Sequence, residues 1–451
     1  MVEPSHLHDA VKIATIGNVD SGKTTLVGVL TKGMPDDGRG AARLRVFNYP
    51  HEAKNGRTSS IAHEIMGFDL TGAQVIPERY NSNKNKYWSE VVKGSSKVVT
   101  LLDLCGHEKY LKTTMFGLIG MTPDYSMIIV GSNMGLSKMT KEHLGITLAL
   151  KIPFFIVVTK MDMCPENVMK DTMDSLFKIL KLSTVNKLGL LVKDMSETEK
   201  IAENLSSTSD RICPIFCVSS VTGLGLDLLT KFLSLLPVNN RAQLSKIISD
   251  PLEFDINENF LIPGIGLVLS GVIKAGSAKI NQQVLLGPDK NKSWHQVTIK
   301  SIHVNRVPAD QACAGQFACF AVKPTKATDK LTREDLRRGM VILDPALKPE
   351  PVWEFRAEVV ILHHSTTIKE GYQCVLHCGV VRQAIEIKKL NVEVLRTGDK
   401  GFTLMRFMYH AEWIKKGMSV LLREGRTKIL GVITELCFEK EEEKVEKAEK
   451  V

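Results

Sequence analysis

The sequence predicts an α/β domain, with a mostly parallel sheet covered by helices on both faces, followed by two β-barrel domains. Three observations carry this. Strand-like and helix-like runs alternate through the first 240 residues, the pattern of a layered α/β sheet. Beyond Pro237 come short β-rich segments separated by turn residues, over 251–345 and again over 352–438. Segments of roughly 90 residues made of many short strands read as small barrels. Between them Pro345, Pro349 and Pro351 read as a linker. The domains are therefore set at 8–240, 251–346 and 352–438, and 439–451 is a charged tail of Glu and Lys, read as a frayed helix extension or disordered.

Composition agrees. A chain of 451 residues has room for about three domains. Its 43% hydrophobic and 24% charged content is that of an ordinary folded protein. No apolar run reaches the ~18 residues of a membrane span. The first nine residues lack the basic-then-apolar pattern of a secretory signal, so a cytoplasmic location without membrane contact is expected. Nine scattered cysteines form no C-x-x-C pair, which excludes a visible disulfide framework or zinc ribbon. Cys374, His377 and Cys378, with His363 and His364 upstream, match no standard zinc spacing and read as buried strand residues. The net charge of +9 is uneven: residues 241–437 carry +8 (28 Lys and Arg against 20 Asp and Glu) and residues 1–240 carry +3. A basic second half suits a polyanion such as RNA, although an unremarkable basic surface has the same composition.

In chain order, residues 11–16 form a short apolar run and 25–30 begin a helical one. Between them lies Gly17-Asn18-Val19-Asp20-Ser21-Gly22-Lys23-Thr24, which fits the phosphate-binding loop G-x-x-x-x-G-K-[ST] in its strand–loop–helix context. Gly17 and Gly22 let consecutive N–H groups converge on one anion. The helix N-terminus adds positive charge. Lys23 would neutralise β- and γ-phosphates, the Thr24 hydroxyl would ligate Mg²⁺, and Thr25 follows in the first turn. The plain alternative, a glycine-rich turn with a lone lysine, lacks a reason for the flanking strand and helix. Residues 34–60 read as loop, where a nucleotide-sensing segment belongs, and 79–97 as a polar stretch rich in Asn, Ser and Lys. Strands are predicted at 98–102, 126–130, 154–158 and 215–218. Helices are predicted at 141–150 and at 166–182, with Pro165 at the start of the second.

Three further motifs sit at predicted strand ends, where ligands of open α/β sheets bind. Asp103-Leu104-Cys105-Gly106-His107 follows 98–102. Its aspartate can hold Mg²⁺ through water, and the Gly106 N–H can meet a γ-phosphate whose loss releases the loop. Thr159-Lys160-Met161-Asp162 follows 154–158. The Asp162 carboxylate can accept from N1–H and the exocyclic amine of guanine. Adenine lacks that donor pair, and the unpaired carboxylate would cost about 1–3 kcal/mol. The Lys160 stem would cover the base. Ser219-Ser220-Val221 follows 215–218, and its N–H groups would meet guanine O6, although serine pairs are also common in plain turns.

These motifs, with His107 directly after Gly106 where Ras-like switches carry glutamine, resemble the translational GTPases related to elongation factor Tu. The match narrows to the GTP-binding protein 1 and 2 family through Gly56-Arg57-Thr58-Ser59-Ser60, through Gly106-His107-Glu108-Lys109-Tyr110-Leu111-Lys112-Thr113-Thr114 and through Val130-Gly131-Ser132-Asn133. Met139-Thr140-Lys141-Glu142-His143-Leu144-Gly145 and Leu362-His363-His364-x-Thr366-Thr367-Ile368 add to it, and Arg423-Glu424-Gly425-Arg426-Thr427 is shared more widely. The resemblance implies that His107 orients the attacking water, that Val19 is one side of an apolar gate, and that GTP, GDP and Mg²⁺ are bound. It implies a switch-loop hydroxyl as second Mg²⁺ ligand. Alignment on Arg57 and Ile61 places Ser60 there, with Thr58 the runner-up. Where elongation factors carry His and Asn, this chain has Ser21 and Thr159; losing Asn removes a contact to guanine N7 and implies weaker nucleotide binding. No side chain reads as an arginine finger in cis, Arg57 included.

The implied reaction is hydrolysis of GTP to GDP and phosphate by a monomeric elongation factor-like switch. Its implied partners are the ribosome and a tRNA or tRNA-mimicking protein. Arg382, Lys388, Lys389, Arg423 and Arg426 are RNA-contact candidates by charge alone, each equally readable as solvated surface. Aminoacyl-tRNA delivery, ribosome rescue or mRNA turnover with a termination-like partner, and a regulatory subunit of a metabolic complex remain alternatives. So does a scaffold that binds GTP without hydrolysing it, against which Lys23, Thr24 and His107 count.

Overall fold

The computed structural model describes residues 10–77, 84–207, 211–238, 246–325, 331, 335–425 and 427–438. The sequence readings made for 1–9, for Arg426 and for the tail 439–451 lie outside the described residues. Two compact units form: Met1–Leu118 with Thr122–Gln243 and Asn305–Val307, and Ile119–Met121 with Leu244–Val304 and Pro308–Val451.

The first unit runs β1 (Ala10–Gly17), α1 (Lys23–Lys32), α2 (Ala41–Leu44), α3 (Pro50–Asn55), β2 (Ala62–Phe68), β3 (Gln74–Val75), α4 (Lys84–Gly94), β4 (Lys97–Asp103) and α5 (Leu111–Ile119). It continues with β5 (Tyr125–Gly131), α6 (Lys138–Ala149), β6 (Phe154–Thr159), α7 (Glu166–Leu180), β7 (Leu188–Leu191), α8 (Met195–Ser207), β8 (Ile212–Cys217) and α9 (Leu226–Leu235). The sheet order is β3-β2-β4-β1-β5-β6-β8-β7. The pairings of β2 with β3 and with β4 are antiparallel and the others are parallel. Consecutive residues of β1, β4, β5 and β6 are buried, so both sheet faces are covered and a continuous apolar run is stable as strand. Phe155, Phe216 and Phe232 fill the core, with Phe232 5.0 Å and 4.8 Å from the other two rings. Because β4, β1, β5, β6 and β8 are neighbours, the loops after Gly17, Asp103, Thr159 and Cys217 share one edge.

Two stretches differ from expectation. Residues 34–60 are not all loop but hold α2 and α3. The polar stretch 79–97 contains α4, whose composition hides a narrow apolar face: Tyr87, Trp88 and Val91 are buried, and the Tyr87 hydroxyl donates to the Thr31 carbonyl at 2.7 Å. Three apolar residues at helical spacing suffice when the rest of the helix faces water. α6 starts earlier than expected because Ser137 caps it, accepting from the Thr140 N–H at 3.1 Å.

In the second unit, strands Gln283–Gly287, Val341–Leu343, Glu253–Ile262, Gly266–Ala275, Phe317–Pro324 and His295–Val304 pair in that order and close back on the first. Strands Glu354–His363, Lys400–Phe407, Val381–Leu390, Gln373–Cys378, Ser419–Glu424 and Thr427–Cys437 form a second closed barrel. Burial alternates along Val381–Leu390, the period of a strand with one face in a core. The expected α/β domain followed by two barrels is the fold observed.

Candidate functional site

The loop after β1 is a cradle that only its own residues permit. Gly17 has φ +152°, and a Cβ there would overlap the Ile129 carbonyl. Gly22 (φ +84°) caps α1, and Asp20 also takes a positive φ of 59°. The Lys23 ammonium is buried and donates to the Asn18 carbonyl at 2.6 Å, and the Ser21 hydroxyl donates to the same oxygen at 2.9 Å. Burial lowers the Lys23 pKa, opposed by Asp103. Gly106 lies so close that a Cβ would overlap Lys23 Nζ and meet the Asn18 carbonyl carbon at 2.8 Å. The loop after β4 therefore rests directly on the loop after β1.

Three oxygens converge beside it. Thr24 Oγ1 donates to Asp103 Oδ2 at 2.7 Å and lies 2.8 Å from Thr58 Oγ1, and Thr58 Oγ1 donates to the same carboxylate oxygen at 3.3 Å. Asp103 is fully buried, and burial pushes its carboxyl up to about 6 against the pull of Lys23 and the two threonines. Its Oδ1 has no hydrogen-bond partner among the described residues. Two hydroxyls and a carboxylate with an unused buried oxygen are the hard donors that Mg²⁺ takes, so the residues present fit that ion.

Ser60 is not among them. Its N–H and hydroxyl both donate to Glu52 Oε1, at 2.9 Å and 3.0 Å, and Ser59 donates the same pair of bonds at 2.7 Å and 2.9 Å. Glu52 Oε2 accepts from the N–H groups of Asn48 and Tyr49 at 3.0 Å and 3.2 Å. The segment is wound round a wholly buried carboxylate, and that winding turns Ser60 away and brings Thr58 to the metal-type cluster. Burial of Glu52 raises its pKa, but the four bonds from Ser59 and Ser60 outweigh it and hold the carboxyl below its usual range. Sequence reading missed Glu52. It also missed Asp36, which accepts from the N–H groups of Gly38, Gly40 and Ala42 at 3.1, 3.1 and 2.8 Å. The Asp36-Asp37-Gly38 turn was the signal available for the second.

His107 begins a short 3₁₀ turn and accepts from the Lys109 N–H through Nδ1 at 3.1 Å. A neutral imidazole so held carries its proton on Nε2. His107, Val19, Lys23, Thr24, Thr25 and Thr58 line one cleft together with Arg43, Gly56 and Arg57.

At the other end, the buried Thr159 hydroxyl donates to the Ser21 carbonyl at 2.6 Å and so ties the loop after β6 to the loop after β1. Lys160 takes φ +62°, and its carbonyl accepts from the Ser132 hydroxyl at 2.9 Å. Asp162 is exposed, and its Oδ1 accepts from the Ser219 hydroxyl at 2.6 Å. The Ser219 N–H goes to the Leu224 carbonyl at 3.0 Å and the Val221 N–H to Ser219 Oγ at 3.2 Å. Two of the three N–H groups expected to meet a base are thus used within their own loop, which leaves the Ser220 N–H for that task. The Ser220 carbonyl accepts from the Asp36 N–H at 2.8 Å. In the second barrel, Lys388 pairs with Glu386 at 3.0 Å, Lys389 is exposed, and Arg382 and Arg423 are half-buried. Arg382, Lys388 and Lys389 share the strand Val381–Leu390, and Arg423 lies on Ser419–Glu424, with Gln373–Cys378 between the two.

With this geometry in hand, residues 8–238 match the model of the elongation factor Tu GTP binding domain. GTP-binding protein 1 of Xenopus laevis is 45% identical over 426 residues, 94% of this chain and 63% of that protein. GTP-binding protein 2 of Homo sapiens is 39% identical over 428 residues, 94% of this chain and 69% of that protein. The chain thus spans about two thirds of the length of these relatives. Among solved structures, the GTPase-like domain of S. cerevisiae Ski7 bound to GTP superposes with a TM-score of 0.70 at 13% identity, covering 95% of this chain and 97% of that one. That likeness is one of fold.

Proposed function

The chain belongs to the family of the elongation factor Tu GTP-binding domain and to the GTP-binding protein 1 and 2 group within it, and from this premise we propose that it is a GTPase switch of translation. It binds GTP with Mg²⁺, hydrolyses it to GDP and phosphate, and acts on ribosomes with a tRNA or a tRNA-mimicking protein in the cytoplasm. One observation supports this above the rest: Thr24, Thr58 and Asp103 meet within 3.3 Å beside the buried Lys23, on the same sheet edge as the Asp162–Ser219 pair.

The residues divide the work. The N–H groups of Gly17, Asn18, Val19, Asp20, Ser21, Gly22, Lys23, Thr24 and Thr25 surround the phosphates, and Lys23 neutralises their charge. Thr24, Thr58 and Asp103 would hold Mg²⁺, which would supply positive charge against the phosphates. The Gly106 N–H meets the γ-phosphate. His107, with Nδ1 fixed by Lys109, offers Nε2–H to orient the attacking water, and Val19 bounds its approach. Asp162 accepts from the guanine edge, Lys160 covers the base, and the Ser220 N–H meets O6. Thr159 serves the site through the phosphate loop, by its bond to Ser21.

The base assignment has a direct test. Asp162→Asn replaces half of the carboxylate acceptor by a donor. The variant is expected to lose GTP by at least tenfold, on the order of the 1.4 kcal/mol of one hydrogen bond, and to gain xanthosine triphosphate. Parental GTP affinity in the variant, measured by fluorescent-nucleotide titration, would refute the assignment.

A further inference from the structure

The cleft holds one cation that the motifs do not account for. Arg43 lies on α2 and lines the same cleft as Lys23, Thr24, Thr58 and His107. It is half-buried. Among the described residues its guanidinium has no hydrogen bond or ion pair. A guanidinium that faces the cleft without a protein acceptor is available to a phosphate group, whose oxygens its planar fork matches.

Its placement is built. The guanidinium lies against two glycines of positive φ: a Cβ on Gly56 would sit 3.5 Å from its Cζ, and a Cβ on Gly40 would sit 2.5 Å from its Nε. α2 itself is anchored on three sides. Asp36 binds the N–H groups of Gly38, Gly40 and Ala42. The Asp36 N–H reaches the Ser220 carbonyl of the base-side loop at 2.8 Å. A Cβ on Gly28 of α1 would overlap the Ala42 carbonyl, so α2 is seated directly on the helix that follows the phosphate loop. Arg57 lines the same cleft but is exposed, where water screens its charge.

We infer that Arg43 is a catalytic arginine supplied in cis, which contacts the phosphate chain of GTP and neutralises charge that develops on the transferring phosphoryl group. The inference rests on the GTPase reading above. A charge fixed in advance at that position needs no reorganisation during reaction. It gives the chain a basal hydrolysis rate of its own before any partner arrives.

The experiment is single-turnover GTP hydrolysis by the chain alone with Mg²⁺, for the parent, Arg43→Ala and Arg43→Lys, alongside affinities for GTP and GDP and formation of the GDP–fluoroaluminate complex. Arg43→Ala is expected to hydrolyse about 10- to 100-fold more slowly, the range that separates switches with and without an arginine in cis. Its GTP and GDP affinities should stay within about threefold of the parent. The fluoroaluminate complex should form on the parent and not on Arg43→Ala, and added guanidinium ion should restore part of the alanine variant's rate, which a role in holding the loop would not allow. Arg43→Lys, which keeps stem and charge, should fall between. An Arg43→Ala rate equal to the parent's, or GDP and GTP affinities that fall as far as the rate, would overturn the inference and leave the GTPase reading intact. A parent chain that binds no guanine nucleotide would overturn both.

Discussion

Ser60 and Thr58 differ in what their own groups are bonded to, and that decides which of them reaches the chemistry. Ser60 stands where alignment to elongation factors puts the switch hydroxyl, yet Glu52 takes its N–H and its Oγ, and Thr58 is the residue that touches Thr24 and Asp103. Motif spacing carries no information about a carboxylate on a separate short helix, so this could not be read from the sequence. Gly17 and Gly106 were legible because a Cβ there would clash, Gly22 because its φ of +84° favours glycine, and Lys23 because the loop needs a charge. The expected consequence is a split between neighbours. Thr58→Ala should raise the Mg²⁺ concentration needed for half-maximal hydrolysis by about tenfold, the equivalent of one lost ligand bond of roughly 1.4 kcal/mol. Ser60→Ala should change it by less than about threefold. A Mg²⁺ titration of the hydrolysis rate reads both, and the reverse order would restore Ser60 as ligand.

Among the elements, the strands were the most legible, since their apolar runs are continuous and bounded by motif loops. α2, α3 and α4 were not, because short or largely polar helices owe their stability to tertiary contacts: Gly28 under α2, Glu52 within α3, and Tyr87 reaching Thr31 from α4. The second unit holds a comparable hidden fixture. Arg337 bonds both oxygens of Glu412 at 2.8 and 2.7 Å and the Ala411 carbonyl at 3.0 Å, and Gln383 donates to Glu412 at 2.6 Å. Glu412 is 2% exposed, and burial pushes its carboxyl up to about 7 even with Arg337 opposing. A carboxyl whose folded pKa lies above its unfolded value contributes least to stability when ionised, so stability falls as pH rises from about 4.5 toward 7. Arg337→Met removes the opposing charge and should cost about 3–5 kcal/mol at pH 8. The cost should be smaller at pH 5, where Glu412 can take a proton. The double variant Arg337→Met/Glu412→Leu should recover most of the loss. Urea denaturation at the two pH values checks this, and an equal cost at both would show that Glu412 is not the source.

For the whole molecule, the order of an α/β domain and two barrels was legible from the change in pattern beyond Pro237. The positive charge of the second half was legible too, but not its use. Arg382, Lys388 and Lys389 lie on one strand and Arg423 on another, with Gln373–Cys378 between them, and Lys388 already has Glu386. Charge composition does not distinguish a polyanion-binding face from a solvated one, whereas the nucleotide site is specified by backbone geometry that motifs do report. A GTPase site in the first unit that works as a switch should respond to a partner. The measurement that tests it most directly is GTP hydrolysis with and without purified ribosomes, each with and without aminoacyl-tRNA, for the parent and His107→Ala. Ribosomes are expected to raise the parent rate by at least about tenfold, within the range that partners give to such switches, and His107→Ala should bind GTP as the parent does but lose the stimulation. A further increase with aminoacyl-tRNA would favour delivery over rescue. A parent rate unmoved by ribosomes, or a His107→Ala variant stimulated as strongly as the parent, would contradict the account.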